Sequence, residues 1–190
     1  GLWDTAFLRL ALESLERRRH QWLLDDLILS AYVHLYDPSR PLNWGAGGPE
    51  RWPKTKPYQD SVYSQDHRGL YIADWYETLA RATVGKSLPI ILMDDPLLKP
   101  LALSQVDIHQ RTFHVIQRLL DPREDEAIEI DGLRLEPFPR EILCLAFYCL
   151  ASDETENEPR AWFLPNGKPE WIVKEIKEFL AQNGKNGKQP

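Results

Sequence analysis

Two consecutive carboxylates, Asp94 and Asp95, end the apolar run LPIILMDDP and are the first candidates for catalysis in this sequence. Adjacent residues of a strand point to opposite faces, so only one of the pair can face a site, and the two should differ in burial. A carboxylate there could act as a nucleophile, a general base or a metal ligand. The competing interpretation is structural, because an aspartate before a proline, as Asp95 is before Pro96, commonly starts a turn.

A histidine and a tyrosine near the end of an earlier segment are candidates for substrate binding. Alternation of residue types over residues 27–36 predicts a strand, one face of which carries Ile28, Ser30, Tyr32, His34 and Tyr36. This face is too polar for one covered by helices, so we expect it to line a cleft or a barrel. One of the two aspartates should then share that face with His34. An interior histidine held by hydrogen bonds is an equally good interpretation of His34.

A long segment, residues 37–68, combines proline, glycine and aromatic residues without periodicity. Disorder depletes aromatic residues, whereas this segment contains Trp44 and Trp52, so we expect an ordered binding loop. Flat aromatic rings suit the apolar faces of sugars, and Glu50 with Arg51 could bond to hydroxyl groups, so all four are candidates for substrate binding. The alternative is that the tryptophans only attach the loop to the body of the protein.

Strands that alternate with helices must position these residues. Apolar periodicity predicts four helices in alternation with three strands, the strands at residues 27–36, 89–94 and 142–151. The pair Asp131-Gly132 predicts a small additional hairpin. This order indicates an α/β fold in which right-handed crossovers make the three strands parallel neighbours. In such folds the ligand site lies at the carboxyl ends of the strands, where the candidate residues are found.

Composition is typical of one folded domain, residues 1–182, followed by a polar tail at residues 183–190. The chain of 190 residues has 23 Lys and Arg against 29 Asp and Glu, a net charge of -6, and no basic stripe, so no nucleic-acid partner is expected. No run of about 18 apolar residues predicts a membrane span, and no signal peptide is evident at Gly1. Histidine and cysteine spacings predict no metal site and no cofactor, and Cys144 and Cys149 are expected to be buried.

The layout resembles the C-terminal part of a (β/α)8-barrel glycoside hydrolase. Three segments carry the resemblance: LSAYVHLYDP with its tryptophan-rich loop, GLYIADWYETLARATVGKSLPIILMDDP, and PREILCLAFYCLAS followed by RAWFLPNGKPEW. The second segment is similar to a helix and the seventh strand of such barrels, and the third to the eighth strand and the final helix. The fold expected is therefore a portion of a TIM barrel, or else a small barrel-like or open parallel sheet.

The resemblance implies a carbohydrate ligand and hydrolysis by two carboxylates. In that family the acid/base usually follows the fourth strand and the nucleophile ends the seventh, so Asp94 or Asp95 has the nucleophile's place, where glutamate is usual. The fourth strand would precede Gly1, which predicts either a fragment of an enzyme or a relative that binds sugar without cleaving it. The alternative of a different class is a noncatalytic α/β binding or interaction module that uses the loop at residues 37–68.

Overall fold

The computed structural model describes residues 4–38, 40–51, 69–96, 103–121, 123, 125–153 and 158–186. The helices of these residues are α1 Asp4–Arg17, α2 Gln21–Asp26, α3 Gly48–Arg51, α4 Ile72–Val84, α5 Gln105–Leu120 and α6 Trp171–Asn186. The strands are β1 Leu29–Val33, β2 Ile90–Asp94, β3 Ile128–Ile130, β4 Leu133–Leu135 and β5 Ile142–Ala146. The protein is therefore of the mixed α/β class, as the alternation of elements predicts.

The three predicted strands are parallel neighbours, with β2 between β1 and β5. Strands β1 and β5 end earlier than predicted, at Val33 and Ala146, because the middle strand ends with them. Val33 pairs with Asp94, the last residue of β2, and Ala146 pairs with Met93. The residues that follow are therefore not part of the three-stranded sheet.

Helices α4 and α5 cover one face of this sheet. The connection from β1 to β2 contains α4, the connection from β2 to β5 contains α5, and both step in the same direction across the sheet. Right-handed crossovers that advance in one direction place their helices on one side. The buried core accordingly joins alternate strand residues to side chains of both helices, and includes Leu29, Ala31, Val33, Ile90, Leu92, Tyr76, Ala80, Ile108 and Val115.

The opposite face, which we call the open face, consists of Ser30, Tyr32, Ile91, Met93, Cys144 and Ala146. Ile91 and Met93 are half-buried and the other four are exposed, Tyr32 by 48%. Parallel sheets are usually covered on both faces, so this exposure is unusual. The expectation that both cysteines are buried is wrong, because β5 places Cys144 on the open face and the other cysteine is half-buried. The described residues form an open sheet with β1 and β5 at its edges, and no closed barrel.

Local sequence signals account for several element boundaries. Ser104 caps α5 through a hydrogen bond from the Asp107 N–H to its Oγ, at 3.1 Å. Gly85, with a φ of 73°, ends α4 in the left-handed conformation that favours glycine. The predicted hairpin is confirmed, because Asp131-Gly132 joins the antiparallel strands β3 and β4. Helix α6 continues to Asn186, into the segment predicted as a tail.

The reactivity of the two cysteine thiols tests whether the open face is exposed to solvent. In a Cys149→Ser background, we expect Cys144 of the native 190-residue chain to react rapidly and completely with a maleimide. In a Cys144→Ser background, Cys149 should react more slowly, because it is half-buried, its thiol donates to the Ala151 carbonyl at 3.2 Å, and burial raises its pKa. Mass spectrometry follows both reactions. Protection of Cys144 as strong as that of Cys149 would contradict the open face.

Candidate functional site

Asp95 and His34 meet where β1 and β2 end. The Asp95 N–H donates to the Val33 carbonyl at 3.2 Å, which continues the ladder one step beyond the last pair of strand residues. Alternation along the two strands then directs the side chains of His34 and Asp95 to the side of the open face. His34 Nε2 lies 2.9 Å from Asp95 Oδ2, and the two side chains are 5% and 9% exposed. As expected, one of the two consecutive carboxylates shares a face with His34.

Asp94 points to the other side of the sheet. The distance from Asp94 Oδ2 to Arg160 Nη1 is 3.7 Å, and the Asp94 side chain is 2% exposed. Burial raises the pKa of Asp94 to about 7, although the positive charge of Arg160 opposes the shift. The expectation that Asp94 and Asp95 differ in burial is wrong, because they are 4% and 7% exposed. Each lies against its own ionisable partner, Asp95 against His34 and Asp94 against Arg160.

Arg160 connects the end of β2 to the chain that follows β5. Its Nη1 donates to the Asp95 carbonyl at 2.9 Å, and its Nε and Nη2 donate to the two carboxylate oxygens of Glu158 at 2.7 and 3.0 Å. The guanidinium group lies 4.2 Å from the centre of the Tyr148 ring. Sequence reasoning missed both Arg160 and Glu158. The available signal was an arginine that ends the otherwise acidic segment DETENEPR.

Tyr36 borders this region from the side of α5. Its hydroxyl lies 2.9 Å from Thr112 Oγ1, and the Thr112 hydroxyl itself donates to the Ile108 carbonyl at 2.9 Å, so Tyr36 is the donor in the first bond. Burial, followed by the nearby carboxylate of Asp94, raises the pKa of Tyr36. The tyrosine therefore stays protonated and bonded to α5. It was predicted to bind substrate, and the structure leaves the residue 8% exposed, with its hydroxyl against the helix.

Trp44 attaches its loop to the body of the protein. It is half-buried, with the guanidinium of Arg40 5.3 Å from its ring centre. Its ring also packs on Gly69, where an added Cβ would lie 3.1 Å from the indole Cδ1. These contacts match the structural alternative for a loop tryptophan. Trp52, the second predicted aromatic contact to a sugar, lies outside the described residues.

Glu50 and Arg51 belong to α3 and lie at a different surface. Glu50 lines a groove of about 720 Å³ along α4, and the lining of this groove includes neither His34 nor Asp95. Arg51 Nη1 forms an ion pair with Glu136 at 3.2 Å. The structure therefore does not bring these two predicted substrate contacts to the end of β2.

We call His34, Asp94, Asp95 and Arg160 the strand-end cluster. Within it, the Asp95 carboxylate is oriented by its hydrogen bond with His34 and points to the side of the open face. Among the described residues, no group of three His, Cys, Asp or Glu side chains is placed to hold a metal ion. No helix within the described ranges is both long and apolar enough to cross a membrane.

Comparisons with protein-family models, with curated proteins and with solved structures find no match to this chain.

Proposed function

We propose that this chain carries part of a glycoside-hydrolase-like carbohydrate site in which Asp95 is the nucleophile or general base. One observation carries the proposal: the Asp95 carboxylate lies at the end of the middle parallel strand, on the side of the open face, 2.9 Å from His34. Ligands of parallel α/β folds bind at the carboxyl ends of the strands. A carboxylate held there by a neighbouring side chain has a defined direction, which a nucleophile or base requires.

Asp95 suits the reacting role better than Asp94. The Asp95 side chain points to the side of the open face, as does that of its partner His34. Asp94 is 2% exposed and lies between the sheet and Arg160. A group enclosed on the helix-covered side cannot contact a sugar unless the strand end moves. We therefore give Asp94 a supporting role.

We further propose that the sheet is a portion of a (β/α)8 barrel. The order of the strands supports this proposal, since α4 and α5 lie on one side of the sheet, as the helices do on the outside of a barrel. The open face would then correspond to the barrel interior, which suits its uncharged residues. In the full-length protein Cys144 should be protected from the maleimide that modifies it in the 190-residue chain. Equal reactivity in both would contradict the barrel.

The histidine of the cluster provides the test of the carbohydrate site. We expect His34→Gln to lower turnover of aryl glycosides by the full-length protein roughly 10²-fold, because a flexible amide can still donate to Asp95 but lacks the rigid imidazole ring that orients the carboxylate. His114→Gln is the matched control, because His114 is also buried and pairs with an aspartate, Asp131, at 3.1 Å, outside the strand-end cluster. This control should keep parental turnover.

Binding of oligosaccharides by the same variants, measured calorimetrically, separates recognition from reaction. A parent protein that neither binds nor cleaves any member of a broad saccharide panel contradicts the proposal. So does a His34→Gln variant with the turnover and affinity of the parent.

A further inference from the structure

We propose that Arg160 is a positioning residue that holds the end of β2 so that the Asp95 carboxylate is directed at His34. This inference rests on the proposed role of Asp95 and adds to it the group that keeps this carboxylate in place. The arginine itself is 3% exposed and lies behind the strand end, so it acts through Asp95 and not on a ligand.

The main chain of Asp95 is held at both of its polar groups. Its N–H donates to the Val33 carbonyl at 3.2 Å, and its carbonyl accepts from Arg160 Nη1 at 2.9 Å. The Asp95 peptide groups lie just beyond the last residue of β2, where the sheet no longer determines the backbone direction. With both groups bonded, the direction of the Cα–Cβ bond is determined, and so is the side from which the carboxylate approaches His34.

Arg160 can hold this carbonyl because it is itself held. Glu158 accepts two hydrogen bonds from the guanidinium, and Tyr148 stacks on it at 4.2 Å. Glu158 is fixed in turn, since its N–H donates to Ser152 Oγ at 3.1 Å. A planar guanidinium can serve a carboxylate and a carbonyl in one plane, whereas the ammonium group of lysine lacks this fork. Lysine should therefore preserve the charge but lose the position.

The experiment observes the His34–Asp95 hydrogen bond directly. We would record the imidazole Nε2–H proton of His34 by NMR in the intact protein, assign it by its disappearance in His34→Gln, and measure its exchange with water. In Arg160→Lys we expect this proton to exchange at least about tenfold faster than in the parent, because the bond to Asp95 opens more often. Glu158→Gln, which loosens Arg160 without removing it, should change the exchange in the same direction.

Arg118→Lys is the matched control. Arg118 is as buried as Arg160, at 3% exposure, and its guanidinium donates to a backbone carbonyl, that of Arg123, at 3.2 Å. Its replacement should destabilise the fold similarly but leave the exchange of the His34 proton unchanged. A purely structural role of Arg160 predicts equal effects of both arginine replacements.

Unchanged exchange in folded Arg160→Lys or in folded Glu158→Gln overturns the inference. If Arg160→Lys does not fold, the Glu158→Gln result decides alone. Failure of the proposed function is distinguishable, because the proton is observed without a saccharide. A parent that binds no saccharide, with exchange altered as expected, contradicts the carbohydrate site and leaves the role of Arg160 standing.

Discussion

For the proposed glycosidase site, Asp95→Asn should lower the turnover of aryl glycosides by the full-length protein roughly 10³-fold or more, whereas Asp94→Asn should stay within about tenfold of the parent. An amide has nearly the shape of the carboxylate and can still accept a hydrogen bond from His34, but it is neither a nucleophile nor a base. A loss of turnover in Asp95→Asn therefore reflects the missing nucleophile or base and not a change in folding. Asp94 lies on the opposite side of β2 against Arg160, so its amide should affect the rate only indirectly.

Two further measurements make this comparison decisive. Oligosaccharide affinity of Asp95→Asn should remain close to that of the parent, since removal of a reacting group lowers kcat more than binding. Unfolding in urea should show that both variants are folded at the assay temperature. Parental turnover in Asp95→Asn, or a larger loss in Asp94→Asn than in Asp95→Asn, would assign the reacting carboxylate elsewhere.

The free energy of unfolding of this protein should decrease by several kcal/mol as the pH rises from about 4 to about 8. Burial raises the pKa of both Asp94 and Asp74 to about 7 in the folded protein, from an ordinary value of 3.8. Between pH 3.8 and about pH 7, each of these two carboxyl groups keeps its proton in the folded state but has released it in the unfolded state. The folded state therefore binds more protons, so stability falls as the pH increases. A difference of about three pH units corresponds to about 4 kcal/mol per group at most.

Asp94→Asn isolates one of these contributions. Asparagine resembles the neutral carboxyl group, so the variant should match the parent near pH 4 and exceed its free energy of unfolding by up to about 4 kcal/mol near pH 8. Asp26→Asn is a control, because Asp26 is exposed and its replacement removes no buried charge. The free energy of unfolding of all three proteins is measured by urea unfolding at each pH. A parent and an Asp94→Asn variant with the same dependence on pH would show that Asp94 is ionised in the folded protein.

The amino-acid sequence determined the elements of this fold because their signals are local. Period-2 alternation predicts β1, a short apolar run predicts β2, and both form as parallel neighbours. Gly85 ends α4 and Ser104 begins α5, because a left-handed backbone and an uncapped helix N-terminus each require a particular residue type. The short helix α2 was missed, since it has a single buried residue, Leu24, and no side-chain cap from which to recognise it.

Only the tertiary structure decided which candidate residues lie together. Alternation indicates that Asp94 and Asp95 face opposite ways, but the identity of the one beside His34 depends on the register between β1 and β2. Trp44, predicted to contact a sugar, packs against Arg40 and Gly69, contacts that its position in the sequence does not indicate. Arg160 was not recognised at all, because it lies 65 residues along the chain from the carbonyl that it holds. Contacts between distant segments depend on how the elements pack, and the spacing of residues along one element does not contain that information.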